Sequence, residues 1–121
     1  MGAAQGGHQE RQVNWDAIAE LALALPGAEL STSYGRPAVK VRGKMFVVAG
    51  KSDDHFVLPA TLDEIDLLIE TEPEAFFQTP HYVGWEAVLV RYAAADAGRV
   101  AILIERAWSR RASKAQLAAR A

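Results

Sequence analysis

The chain has 121 residues, half of them apolar and 23% charged, which suits one folded domain needing no metal or disulfide staple. It contains no cysteine, which removes disulfides, thiolate nucleophiles, iron–sulfur clusters and Cys-type zinc sites together and fits a reducing compartment. The formal net charge of −2 argues against a general polyanion binder, although the signs are segregated along the chain.

Residues 1–12, rich in Gly, Gln and His, read as a disordered leader without the apolar run of a signal peptide, and residues 13–121 read as a single domain. No apolar run approaches the roughly 18 residues of a membrane span, so the expected location is the cytoplasm, with no membrane partner. Asn14 is placed to cap a first helix, with Trp15, Ile18, Ala22 and Leu25 as its apolar stripe and Pro26-Gly27 as its stop. Residues 29–34 then read as an edge strand, followed by a Gly35-Arg36-Pro37 turn. Residues 38–41 and 45–49 form a hairpin around Arg42-Gly43-Lys44, where Gly supplies positive φ. Residues 55–58 make a further strand after the turn at 50–54.

Thr61-Leu62-Asp63-Glu64 is a capping box opening a second helix, with Leu62, Ile65, Leu68 and Ile69 as the buried stripe. Pro73 begins a short helical turn ending near Phe76. Residues 77–79 and 87–92 are strands joined by the loop Pro80-His81-Tyr82-Val83-Gly84-Trp85-Glu86. Asp96 caps the most amphipathic helix, whose Val100, Leu103, Ile104, Ala107 and Trp108 make one broad apolar face. Ser113 caps a last short helix through Ala119. Strands and helices do not alternate regularly. The fold class is therefore α+β, an antiparallel sheet meander packed on one face by helices.

Charge follows the same segmentation. Residues 36–51 carry five cations (Arg36, Lys40, Arg42, Lys44, Lys51) and no acid, whereas residues 52–90 carry nine acids and no Lys or Arg. From residue 97 the balance is basic again, with six cations against Glu105 alone. Two solvated faces of opposite sign are the simpler account, and a basic binding patch is the sharper one.

No recognisable catalytic constellation is present, and no enzyme activity, metal site or cofactor is expected. The Gly-rich phosphate cradles and His-Glu-x-x-His are absent, and neither His55 nor His81 has metal-ligand spacing to a second ligand. Asp53-Asp54-His55 reads as turn chemistry, and the acids Asp63, Glu64, Asp66 and Glu70 are accounted for by the helix dipole and solvation. Of the hydroxyl groups, Ser31, Thr32, Ser33 and Thr79 have only His81 as a candidate base. Two loop segments concentrate aromatic, His, Arg and Gly residues instead: 32–44, and 76–85 with its Tyr82 and Trp85.

At those segments the sequence resembles the MmcQ/YjbR family. The resemblance rests on Ser33-Tyr34-Gly35-Arg36-Pro37 with Lys40-Val41-Arg42-Gly43-Lys44, on Phe77-Gln78-Thr79-Pro80-His81-Tyr82 followed by Val88-Leu89-Val90-Arg91, and on Ala107-Trp108 with Lys114. It implies a CyaY-like (frataxin-like) α+β architecture, described as a double wing and proposed to bind DNA. Carried onto this chain, one wing is the hairpin with Lys40, Arg42 and Lys44, and the other is the loop with His81, Tyr82 and Trp85. Arg36 and Lys114 would extend that surface. The chain departs from the family's usual turn at Val83-Gly84-Trp85-Glu86, where Glu86 places an acid on the expected surface.

The leading expectation is a non-enzymatic DNA-binding domain in which the hairpin cations pair with phosphates and His81, Tyr82 or Trp85 meet bases. The alternative is a small-molecule or peptide module with a cleft lined by Tyr34, Arg36, His81, Tyr82 and Trp85. Iron handling of the frataxin kind ranks last, since only residues 62–74 approach the acidic surface it needs.

Overall fold

The computed structural model describes residues 13–120; the expected leader, residues 1–12, and Ala121 lie outside the described residues. In chain order the elements are α1 (Trp15–Leu23), β1 (Glu29–Ser33), β2 (Arg36–Val41), β3 (Lys44–Ala49), β4 (His55–Pro59), α2 (Leu62–Thr71), β5 (Phe76–Phe77), β6 (Ala87–Arg91), α3 (Ala97–Ser109) and α4 (Lys114–Arg120). Short 3-10 turns occupy Pro80–Tyr82 and Tyr92–Ala94.

The helix starts are set by side chains that satisfy otherwise orphaned backbone donors. Asn14 Oδ1 accepts from the Ala17 amide at 2.9 Å, and Asp96 Oδ2 from the Arg99 amide at 2.8 Å. Thr61 and Glu64 close the expected capping box in both directions. Ser113 and Gln116 form a second one: Ser113 Oγ accepts from the Gln116 amide at 3.1 Å, and Gln116 Oε1 accepts from the Ser113 amide at 2.8 Å.

The six strands form one antiparallel sheet in the order β1-β2-β3-β4-β6-β5. The β1–β2 and β2–β3 hairpins turn on two residues rather than three. Tyr34 and Gly35 have φ of 53° and 78°, and Arg42 and Gly43 have 54° and 76°, the left-handed pair whose twist matches the flanking strands. Arg36 and Pro37, expected in a turn, are therefore the first residues of β2, with Arg36 opposite Ser33. Lys44 is likewise the first residue of β3, opposite Val41. Residues 73–75 make a turn without becoming helical, and the expected strand at 77–79 is the two-residue β5 at Phe76–Phe77. Pro80, which has no amide to donate, opens a 3-10 turn soon after.

The main core lies between the helices and one face of the sheet. Val39, Val41, Phe46, Val47, Phe56, Leu58, Val88 and Val90 from the strands meet Ile18, Ala22, Ile65, Leu68, Val100, Leu103, Ile104 and Trp108. A register shift between Val39 and Lys40 brings Phe46 and Val47, neighbours in sequence, into the same core. Trp108 is 1% exposed, and its indole Nε1 donates to the Pro26 carbonyl at 2.8 Å, tying α3 to the end of α1. Leu62, expected in the stripe of α2, is largely exposed, and the burial is carried by Ile65 and Leu68.

The opposite face of the sheet has a smaller apolar cluster of Ala38, Val48, Val57 and Leu89, flanked by Met45, Phe77, Tyr82 and Ala87. No helix covers it. The aromatic loop between β5 and β6 does so in part, through Tyr82.

Candidate functional site

Strand alternation decides where each hairpin cation points. Arg36, Ala38 and Lys40 share a face of β2, and Ala38 belongs to the helix-free cluster, so Arg36 and Lys40 lie on the helix-free face. Lys44 pairs with Val41, a residue of the helix-side core, and so leans to the other side. Arg42 sits at the turn and extends Nη1 toward the Arg111 carbonyl, at the long distance of 3.5 Å. The hairpin thus presents Lys40 on one face of the sheet, Lys44 on the other, and Arg42 at the tip.

Lys44 meets cations from the C-terminal end of α3. A cleft of about 350 Å³ is lined by Lys44, Pro59, Ala60, Thr61, Glu86, Arg110 and Arg111. Arg110 is held in place by the Pro59 carbonyl, 3.2 Å from Nη2, and by Glu64, 3.5 Å from Nη1. Arg111 donates Nη1 to the Ala107 carbonyl at 3.2 Å. Burial and then the neighbouring Arg110 push the Arg111 guanidinium below its ordinary value, and Glu86 opposes them. Arg110 and Arg111 were visible in the sequence only as part of a basic tail. What singles them out is the turn after Trp108, which brings them beside a strand some 60 residues away.

The C-terminal cations and the hairpin cations differ in how they are neutralised. Arg99 pairs with Glu72, Arg106 and Arg110 with Glu64, and Arg120 with Glu105. Among the described residues, Lys40, Arg42 and Lys44 form no salt bridge. Within the acidic middle of the chain, Glu64 and Glu72 are the acids that pair with arginines, and both pair with arginines of the C-terminal helical region rather than with the hairpin.

The aromatic loop leaves the sheet at the same end as the Arg42–Gly43 turn. Ala87 opens β6 opposite Pro59, and the Glu86 carbonyl accepts from the Ala60 amide at 3.1 Å, so the loop's last residue lies against the cationic cleft. Gln78 ties the loop down. Its Nε2 donates to the carbonyls of Ala87 (2.9 Å), Tyr82 (3.1 Å) and, more weakly, Trp85 (3.4 Å). The Tyr82 amide donates to Thr79 and the Trp85 amide to Tyr82, and Gly84 takes a φ of 88° that completes the reversal. His81, Tyr82 and Trp85 consequently form one aromatic group, with ring centroids 5.1 to 6.2 Å apart. Tyr82 is half-buried on the helix-free face, while Trp85 is 57% exposed and Val83 66% exposed. The sequence places Gln78 in the family motif but not its anchoring role, because one residue's donors to three backbone carbonyls leave no pattern.

Tyr34 and Arg36 lie elsewhere. Tyr34 is 95% exposed at the β1–β2 turn, at the end of the sheet opposite Arg42. Arg36 shares the helix-free face with Tyr82 but starts β2, about 17 Å along the strand from Val41 at the usual rise. Its Nη1 is buried without a hydrogen-bond partner among the described residues. Lys114 opens α4, is exposed, and does not line the cationic cleft.

The Asp53-Asp54-His55 segment behaves as a turn. Ser52 Oγ donates to Asp54 Oδ1 at 2.8 Å, and His55 Nδ1 lies 2.7 Å from the same oxygen. That contact with His55, followed by the one with Ser52, holds the Asp54 carboxyl below its ordinary value. Among the described residues no group of three or more His, Asp or Glu is arranged to hold a metal ion, and no helix is long and apolar enough to cross a membrane.

Comparison with known proteins bears on the frame that carries these residues. No curated protein matches the sequence. The crystal structure of a Deinococcus radiodurans protein with a domain described as DUF419 superposes with a TM-score of 0.70 over 87% of this chain and 86% of that one. Its sequence is 14% identical, so the likeness establishes the fold alone. The family model for YjbR matches residues 23–110, from the end of α1 through the cleft residue Arg110. With the six-stranded sheet, the hairpin and the aromatic loop all inside that match, the chain belongs to the YjbR family.

Proposed function

We propose that this protein is a non-enzymatic DNA-binding domain that engages duplex through the end of the sheet where the β2–β3 hairpin and the aromatic loop emerge. The observation that carries this reading is that Lys40, Arg42 and Lys44 form no salt bridge among the described residues, even with Glu29 opposite Lys40 in the β1–β2 register, in a chain whose net charge is negative. Unpaired cations on a tip between two faces can follow a phosphate backbone, which is the positioning half of duplex recognition. His81 and Trp85, exposed on a loop that leaves the same end of the sheet and is pinned by Gln78, are the groups for base or sugar contact. Arg36, at the far end of the sheet, and Lys114 fall outside this interface, whereas Arg110 and Arg111 join it.

The alternative, a ligand cleft built from Tyr34, Arg36, His81, Tyr82 and Trp85, has less support. Two of the five sit at the other end of the sheet from the loop's exit, and Tyr34 is almost wholly solvated. The test is an anisotropy titration of labelled duplex at about 50 mM salt, repeated at higher salt. Three or four phosphate contacts give a log–log salt slope of about −3. Lys40→Ala with Arg42→Ala should flatten that slope by about two and weaken all sequences alike. No binding to duplex at about 50 mM salt would end the proposal.

A further inference from the structure

The cleft between β3, the start of α2 and the end of α3 has a charge balance that the fold does not use. Lys44, Arg110 and Arg111 face it, with Glu86 the one carboxylate in its lining among the described residues. Arg110 is held by the Pro59 carbonyl and paired with Glu64, so the unpaired cations of the cleft are Lys44 and Arg111. Arg111 gives one guanidinium nitrogen to the Ala107 carbonyl, which leaves most of its five N–H donors free. Lys44 has neither a salt bridge nor a side-chain hydrogen bond among the described residues. Two cations with unengaged donors, an exposed Lys44 and a half-buried Arg111, line the same cleft. The Arg111 guanidinium, disfavoured by its burial and by the neighbouring Arg110, is stabilised by an anion beside it.

We infer that this cleft is an anion site that takes a phosphoryl group. A guanidinium fork beside a flexible ammonium suits a tetrahedral oxyanion, whose acceptors point in several directions, better than a planar carboxylate. At about 350 Å³ the cleft is at the small end of ligand sites, large enough for a phosphoryl group and its first substituent. Two sources share this chemistry, a phosphodiester of a nucleic-acid backbone and a small phosphate ester. The inference stands on the cleft's own geometry and does not depend on duplex binding.

The probe is pyrophosphate, titrated into the full chain and followed by amide chemical shifts. Saturable shifts centred on Lys44, Thr61, Glu86 and Arg111 are expected. Lys44→Gln should weaken binding about tenfold, the scale of one charge-assisted contact. Glu86→Gln should tighten it about threefold, a gain that a misfolded variant cannot mimic. Lys51→Gln, an exposed cation at the opposite end of the sheet, should leave it unchanged. Shifts that never saturate, equal losses in Lys44→Gln and Lys51→Gln, or no tightening in Glu86→Gln would each overturn the inference. Competition between pyrophosphate and bound duplex assigns the site to the nucleic-acid backbone. Pyrophosphate binding without competition, or with no duplex binding at all, assigns it to a small phosphate ester and leaves the anion site standing.

Discussion

The loop that carries His81, Tyr82 and Trp85 is held to the sheet by one side chain, and Gln78→Met would remove that hold while nearly keeping its volume. The two amide hydrogens of Gln78 serve carbonyls at 2.9, 3.1 and 3.4 Å. At about 1 kcal/mol net for each good hydrogen bond, the first two contribute about 2 kcal/mol, and the third adds little at its distance. Part of this returns when the carbonyls take up water, because the loop is largely exposed. A net loss of about 1–2 kcal/mol, confined to the loop, is expected. It would raise the open population about tenfold, since about 1.4 kcal/mol is a factor of ten. Native-state amide exchange reads this directly. The Tyr82 and Trp85 amides, bonded at 2.8 and 2.9 Å within the loop, should exchange about tenfold faster, while Val88, Leu89 and Val90 in β6 stay protected. Unchanged exchange at Tyr82 and Trp85 would refute the role given to Gln78, as would a uniform increase across the sheet.

Other consequences concern pH, the core and the hairpin. Burial works against the Glu64 carboxylate, but its bond from the Thr61 amide, the field of Arg110 and the bond from Arg106 together hold its pKa below the ordinary 4.5. Because the folded value is depressed, its contribution is complete above the unfolded pKa and is lost as pH falls through the folded one. Urea midpoints taken from about pH 6 down to 3 should therefore drop less steeply in Glu64→Gln than in the parent, and parallel curves would refute this. Trp108→Phe removes a donor to the Pro26 carbonyl and leaves a void at a site 1% exposed, so denaturant unfolding should show a loss of about 2–4 kcal/mol. Arg42 holds a φ of 54°, which Asn tolerates better than Arg. Arg42→Asn should stabilise the hairpin by about 0.5–1 kcal/mol in thermal unfolding while weakening duplex binding, and equal signs in the two assays would count against the proposed interface.

Most of the elements were legible because their signals are local. Asn14, Thr61, Asp96 and Ser113 each cap the helix expected of them, since a cap is a contact between residues three apart. The apolar stripe of α3 is buried as its spacing implies, from Val100 to Trp108. The turns were less legible: in each hairpin a non-glycine residue, Tyr34 or Arg42, shares the left-handed conformation with its Gly, and nothing in its chemistry announces that. The shorter turns then moved Arg36 and Lys44 from loop into strand.

The chain's own residues thus determined the helices, the apolar surface available for a core and the segregation of charge, because propensity, capping and periodicity act within a turn or two of backbone. Only the tertiary structure decided which face each cation occupies. Pairing register sends Lys40 and Lys44 to opposite sides of the sheet, and it is the packing of α3 that brings Arg110 and Arg111 to Lys44. It also inserted β6 between β4 and β5, which sets Glu86 against the cleft. A one-residue change in pairing reverses every side chain on a strand, and contacts between distant segments depend on summed burial that no local pattern encodes.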